Sequence, residues 1–395
     1  MKFITHVTHN KNTRLAVQEL SKALQKENLS SVICYYTQEH RPEDLQKEFS
    51  LSLPGVSLIG CSTCKGVMTD KGVHFGTVIG VLAICDNASN AYGSGLVHVT
   101  EDNNVEEATA QALEIALTKS DRKGELPGFI VLHSTPGTEE RIIDAIDKTF
   151  HTQVPIIGGS AADNHIDGHW SIFTESDSTG SGLALQVFYP SQNVSAGLSA
   201  GYSPTEFKGK VTKCDNRELL EIDHQLAQDV YLEWISDHAG VDVPKHFVFE
   251  LVTEFPLGRT VGEIYTNPYY KLSHPISISS NGGLLLFTDI AIGQEVTLMS
   301  GDRQKLIGRA GRILKETKRR IRSDNQIVGA ICIICAGPML YLKEDIHEVY
   351  KEISNELNGR PFICPFTYGE QGRFIDGENA HGNLMVSSAL FHSTL

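Results

Sequence analysis

Three stretches of this chain share one pattern, and that repetition limits the folds open to it more than any single motif does. FITHVTHNKNTRLAVQELSKALQ from Phe3, GFIVLHSTPGTEERIIDAIDKTF from Gly128 and GAICIICAGPMLYLKEDIHEVYKEI from Gly329 each run from an apolar strand through a short polar or Gly-containing loop into an amphipathic helix. In the first helix Leu15, Ala16, Leu20, Ala23 and Leu24 recur at helical spacing, and in the second Ile142, Ile143, Ile146 and Phe150 do so. A helix with one apolar stripe directly behind a strand covers a sheet. A second repeat follows each unit. LPGVSLIGCSTCKGVM is matched by TQVPIIGGSAADNHID, with Gly60, Cys61 and Ser62 on Gly158, Gly159 and Ser160, and more loosely by NGRPFICPFTYGEQG. A polar stretch and an apolar run come next in each copy: GTVIGVLAI, SGLALQVFY and NLMVSSALF. The module is a strand and helix, a further strand, a small-residue turn, and a hairpin returning into the sheet.

The expected fold class is α/β, with two α/β domains built from repeated β-α plus β-hairpin modules around mixed sheets. Between the second and third modules the pattern changes to a helix at LLEIDHQLAQDVYLEWISDHAG and strands at HFVFELVTEF, HPISISS and GLLLFTDIAI, with EFKGKVTKCDNRELLEI before them. This places an N-terminal domain at 1–222 with two modules and a C-terminal domain at 223–395 with the third.

Charge and length exclude several function classes. The 395 residues are 41% hydrophobic and 21% charged, and the net charge of -14 argues against nucleic acid or anionic lipid, which need a basic surface. The one dense basic run, KETKRRIR at 315–322, reads as the solvated end of a helix. MKFITHVTHNKNTR alternates apolar and polar residues and lacks a signal-peptide core, and GGLLLFTDIAIGQEV is broken as a membrane span by Asp289 and Glu295. The expectation is a cytoplasmic chain that avoids membranes. Eight cysteines are too sparse for a disulfide scaffold.

Cys61 and Cys64 form a C-x-x-C, and Cys332 and Cys335 a second. A redox pair needs its first thiol at a helix N-terminus, yet KGVMTDKGVHFGT after Cys64 is rich in Gly. ICIIC sits in an apolar strand, where residues three apart face opposite ways, which disfavours a shared zinc. Cys64 is followed by Lys65, not His, so covalent c-type haem attachment is excluded. What the first two copies share is Gly-x-Ser and a following small residue. Small residues at a strand end let a ligand approach free backbone N–H groups and the hydroxyls of Ser62, Thr63 and Ser160. Ser134, Thr135, Ala336 and Gly337 also fall at strand carboxyl ends, where open α/β sheets bind ligands. GGSAADN (Gly158 to Asn164) adds Asp163 and Asn164, and TYGEQG adds Tyr368, Gly369 and Glu370. Tight turns without a ligand, with Asp163 and Asn164 as capping residues, are the competing reading. No Ser/His/Asp order, Walker loop or H-E-x-x-H helix is present, so no catalytic motif supports an enzyme.

IGCST, GGSAADN and TYGEQG in that order resemble the FIST family, over nearly the whole chain from about Leu29 to about Leu390. The resemblance implies an N-terminal and a C-terminal domain forming a small-ligand sensor without catalysis. It also implies a separate signalling partner, such as a histidine kinase or a cyclic-di-GMP enzyme, and leaves room for a homo-oligomer. Within the family, Gly60, Cys61, Cys64, Gly66, Val67 and Met68 resemble the turn of nitric-oxide-sensing haemoproteins. That implies a non-covalent haem b, with His133, His165, Cys61 and Cys64 as axial candidates. His381 and Met385, in AHGNLM, read as a cap or strand start. An amino acid or other small carboxylate is the alternative ligand. An enzyme using the thiols or Glu370 on a small metabolite is the alternative of another class.

Overall fold

The computed structural model describes residues 1–393 apart from 26, 88–90, 101–102, 241–242, 244–248, 265, 323–324 and 375–376. Among the described residues the repeat is more regular than the sequence shows, because each copy is a seven-part unit. An outer strand comes first: Lys2–Thr8, Ala91–His98 or Asn193–Ser199. A helix follows, at Thr13–Leu24, Val105–Lys119 or Arg303–Lys318. Each of these helices is started by a short polar side chain: Asn12, Asn104 and Asp302 accept the N–H groups of Leu15, Glu107 and Lys305. Next comes a parallel pair of strands joined through helix: Ser31–Tyr36 with Ser57–Ser62, Phe129–Ser134 with Ile156–Ser160, and Gln326–Cys335 with Phe362–Thr367. A hairpin and a return strand close each unit. The strand-helix unit at Phe3 is therefore not the counterpart of those at Gly128 and Gly329. Its partner in the repeat is SVICYY with helix Pro42–Ser52, whose first residue is a proline that lacks the N–H a helix leaves unpaired anyway.

All three sheets have the same strand order, outer strand, return strand, first parallel strand, second parallel strand, and the hairpin that completes each belongs to another unit. The first unit's hairpin, residues 66–75, pairs Val67, Met68 and Thr69 with Pro365, Cys364 and Ile363 of the third. The third unit's hairpin, 370–382, pairs Glu370 and Gln371 with Gly159 and Gly158 of the second. The second unit's hairpin, 172–179, pairs Ile172, Phe173 and Thr174 with Cys61, Gly60 and Ile59 of the first. The exchange is cyclic. One buried cluster joins Tyr35 and Ile59, Val131 and Ile157, and Ile331 and Ile363, so the three units share a single apolar centre.

Residues 203–300 are an insertion in the third unit, between its outer strand and its helix. Their strands form a fourth sheet with a separate core that includes Leu219, Ile222, Tyr231, Ile235, Leu257 and Leu298. The expected boundary at 222 falls in this sheet, where Glu221 and Ile222 pair with Leu226 and Gln225. LLEI begins as strand, and the helix starts only at Ala227. HFVFELVTEF lies partly outside the described residues; its Phe249–Glu254 is helix, not strand. In the first helix Leu15 is 52% exposed and Val17 is buried instead. Among the described residues no helix is long and apolar enough to cross a membrane.

Candidate functional site

The small-residue turns meet around one axis. The N–H of Ala162 donates to the carbonyl of Ser62 at 3.0 Å, that of Tyr368 to Ser160 at 3.1 Å, and that of Cys64 to Phe366 at 2.9 Å. This ring of main-chain bonds makes Phe366 the third-unit counterpart of Ser62 and Ser160, so the hydroxyl is not part of the repeat. The hydroxyls expected to meet a ligand already have partners within the fold. Ser62 Oγ accepts from Ser171 N–H at 2.9 Å, and Thr63 Oγ1 donates to Gly66 O at 2.7 Å while accepting from Phe366 N–H at 2.8 Å. Ser134 Oγ accepts from Gln371, Thr135 Oγ1 accepts from Gly182 N–H, and Ser160 Oγ donates to Glu139 at 2.7 Å. The glycines serve packing. A Cβ on Gly158 would lie 1.6 Å from the Leu132 carbonyl oxygen, and one on Gly369 would lie 2.2 Å from the His381 ring.

The acids of the two motifs are partnered as well. Asp163 Oδ1 accepts the N–H groups of His165 and Ile166 and the Tyr368 hydroxyl, and Oδ2 accepts those of Asp167, Gly168 and His169. Burial works against its charge, but the Tyr368 hydroxyl and the loop amides prevail and hold its pKa at about 2. Asp163 is thus the capping residue of a loop. Asn164 accepts from Lys65 N–H at 2.7 Å. Glu370 is fully buried beside Arg309, and accepts from Met385 N–H at 2.9 Å and Thr367 at 3.2 Å. Burial pushes its pKa up to about 8, against the pull of Met385 N–H and Arg309.

The thiols are packed, not poised. Cys61 and Cys64 are 0% exposed and belong to different apolar clusters, and burial pushes the Cys64 thiol up to about 12. Both C-x-x-C pairs are free thiols. A haem would need one of the four axial candidates to face an apolar slot. His133 is buried with Nε2 3.1 Å from the Tyr35 hydroxyl and Nδ1 3.0 Å from the Gly159 carbonyl, and burial lowers its pKa to about 4. His165 is exposed on the loop around Asp163. None of the four lines either large cleft described next, so these residues do not fit a haem.

The first cleft, about 480 Å³, lies at the ring; Phe75, Met339 and Leu340 contribute its apolar wall, and Lys65, Lys343, Glu39 and Glu344 carry charge of both signs around it. Asn164 is the one expected site residue that lines it. The second, about 300 Å³, has a different chemistry and lies where helix Glu139–Phe150 and hairpin 370–382 face the insertion. It is lined by Arg259, Lys271, Asn379 and His381, with Asp144, Asp147 and Glu378. Arg259 is 5% exposed; its Nη groups reach the Asp289 carbonyl and Thr288, but Nε has no partner. Asn379 Oδ1 and both ring nitrogens of His381 also lack hydrogen-bond partners, at 6% and 1% exposure. Lys271, partly buried, has neither ion pair nor hydrogen bond among the described residues. Burial lowers the pKa of both Arg259 and Lys271. Buried polar groups left unpaired cost about 1–3 kcal/mol each, and several opening onto one cleft mark where a polar ligand completes the bonding.

Beside this cleft Arg217 bonds Glu139 and Glu140 at 2.8 Å each and Asp289 at 2.7 Å, tying the helix of the second unit to the insertion. Glu139, Glu140 and His381 lie close enough to hold a metal ion. Their carboxylate oxygens are already taken by Arg217, Ser160, Gly137 N–H and Asp289 N–H, which makes the group an ion-pair network. None of Glu139, Arg217, Arg259, Lys271 or Asn379 was singled out by motif reading. Glu139 follows a strand's carboxyl end, which is a signal; Arg259 and Lys271 sit in strands of an insertion outside the repeat, which offers none.

The FIST N domain matches residues 30–225 and the FIST C domain residues 227–373. An uncharacterized protein of Methanocaldococcus jannaschii is 24% identical over 319 residues, which is 76% of this chain and 59% of that protein, so the chain spans less than two thirds of this relative. A cyanuric acid hydrolase from A. caulinodans aligns over 100% of this chain and 99% of its own at 9% identity, with a TM-score of 0.34 that carries no argument about activity. With both domains matched over most of its length, the chain belongs to the FIST family, whose domains are signal-transduction sensors of small ligands.

Proposed function

We propose that this FIST protein senses a small amino acid or related carboxylate in the cleft between helix Glu139–Phe150, hairpin 370–382 and the insertion. The observation that carries the reading is Arg259, 95% buried by its 5% exposure, with Nε unpaired where it lines the cleft. Lys271 beside it supplies a second donor, and a carboxylate accepting from both would relieve two desolvated cations at once. Ligand contacts spanning the insertion and the repeat units favour one relative placement of the two, and the Arg217 bridge is the fixed contact next to them. The output then passes through a surface to a separate signalling protein.

The thiol-enzyme reading lacks a reactive group, since Cys61 and Cys64 are enclosed and Glu370 is fully buried. The test is a thermal-shift screen of the purified chain against amino acids and small carboxylic acids, with calorimetry on any hit. A ligand at a hundredfold its Kd adds about 2.7 kcal/mol of stability. Lys271→Met should abolish the shift while the unliganded melting temperature stays close to wild type. A hit whose affinity is untouched by Lys271→Met and by Arg259→Lys would move the site elsewhere.

A further inference from the structure

The charges of the cleft are sorted by depth. Arg259 is buried and Lys271 partly so, and both come from the insertion. On the facing side Asp144 and Glu378 are exposed and Asp147 is partly buried. Two further acids, Glu140 and Asp289, are ion-paired to Arg217, which they share with Glu139. Asp147 accepts from Asn379 Nδ2 at 2.8 Å, and Asn379 Oδ1 is left as an unpaired neutral acceptor. Next to this ion-pair network, Arg259 and Lys271 form a floor of two cations below a rim of three carboxylates, Asp144, Asp147 and Glu378.

Resting on the carboxylate reading above, we propose that the ligand is an amino carboxylate with a second, distal cationic group, bound carboxylate first, so that its ammonium or guanidinium end lies among Asp144, Asp147 and Glu378. A monocarboxylate without that end would leave the rim acids facing one another, and a dicarboxylate would place its second anion against them. A cation without the carboxylate would face Arg259 and Lys271 uncompensated. The arrangement therefore selects by rejection at both ends. Exposed rim charges act weakly one at a time, so the discrimination expected from all three together is about tenfold.

The experiment is calorimetric titration of the intact chain with lysine, norleucine, 2-aminoadipate and cadaverine, which vary one end at a time. Lysine should bind about tenfold tighter than norleucine, 2-aminoadipate should be weaker than both, and cadaverine should not bind. In Asp144→Asn/Glu378→Gln, which alters only exposed side chains, the preference for lysine over norleucine should shrink to about twofold while norleucine affinity is retained. Norleucine or 2-aminoadipate binding as tightly as lysine would overturn the inference and leave the carboxylate site standing. Cadaverine binding as well as lysine, or none of the four binding, would overturn both.

Discussion

Replacing Arg217 with Met tests whether the insertion is held to the repeat units by charge. The guanidinium makes three bonds at 2.7 to 2.8 Å, to Glu139, Glu140 and Asp289. Without it Glu139, with 2% of its side chain exposed, keeps, among the described residues, only the Ser160 hydroxyl and the Gly137 amide as hydrogen-bond donors. Removing one partner of a buried pair costs about 3–5 kcal/mol, and because Arg217 is 18% exposed the lower end, about 3 kcal/mol, is expected. The pH dependence carries the mechanism. Burial would raise the Glu139 pKa, but His381 and Arg217 outweigh it and bring it to about 2. A carboxylate depressed in this way contributes stability above its unfolded pKa of about 4.3, and loses that contribution as pH falls through its folded value. In Arg217→Met burial is less opposed, the folded pKa rises, and Glu139 can protonate. The deficit of the variant, read from urea unfolding, should be largest near about pH 7 and clearly smaller near about pH 4.5. Adding Glu139→Gln should recover a large part of it. A loss below about 1 kcal/mol, equal at both pH values and unaltered by Glu139→Gln, would refute the claim that a buried charge pair links these parts.

The exchanged hairpins predict that residues 1–202 expressed alone will not give a cooperative unfolding transition. Hairpin 66–75 then lacks its sheet and the second unit lacks hairpin 370–382; a sharp calorimetric peak from that fragment would contradict the shared core. Ellman titration of the native chain should label Cys85 and Cys214, the two partly exposed thiols, well before the six buried ones, and Cys61→Ala/Cys64→Ala should stay folded at a cost of about 1–2 kcal/mol per site. Rapid labelling of Cys61 would show the turn to be open. Asp163→Ala should cost about 3 kcal/mol and expose residues 165–169 to proteolysis, since six donors lose their acceptor; unchanged ligand affinity in the folded fraction would confirm a structural role. Glu370 has a folded pKa raised to about 8, so its neutral form belongs to the fold. The Glu370 contribution to stability should fall as pH rises from about 4.3 through about 8, so the stability of wild type relative to Glu370→Gln should decline over that range; a difference independent of pH would refute it.

Local periodicity carried much of the fold. The apolar stripes of residues 142–146 and the β-branched runs IVLHS and ICIIC state helix and strand without tertiary help, because an apolar face of the right period has one stable use. The repeat of Gly60-x-Ser62 in Gly158-x-Ser160 was legible for the same reason. Its meaning was not. Small residues at a strand end suit a ligand and suit close backbone packing equally, and only the ring through Ala162, Tyr368 and Cys64 shows that packing uses them.

Periodicity and spacing alone specify the modules, their alternation, and the lack of a helix behind Cys61 and Cys64 that a redox pair would need. Tertiary structure decided where each hairpin goes. A two-stranded ribbon such as 66–75 is marginal alone and takes whichever open sheet edge its surroundings present, here Phe362–Thr367, some 290 residues away. It also decided the ligand cleft. Arg259 and Lys271 acquire their role only when the insertion lies against Asp144, Asp147 and Asn379, a juxtaposition of groups more than 100 residues apart that no local pattern encodes.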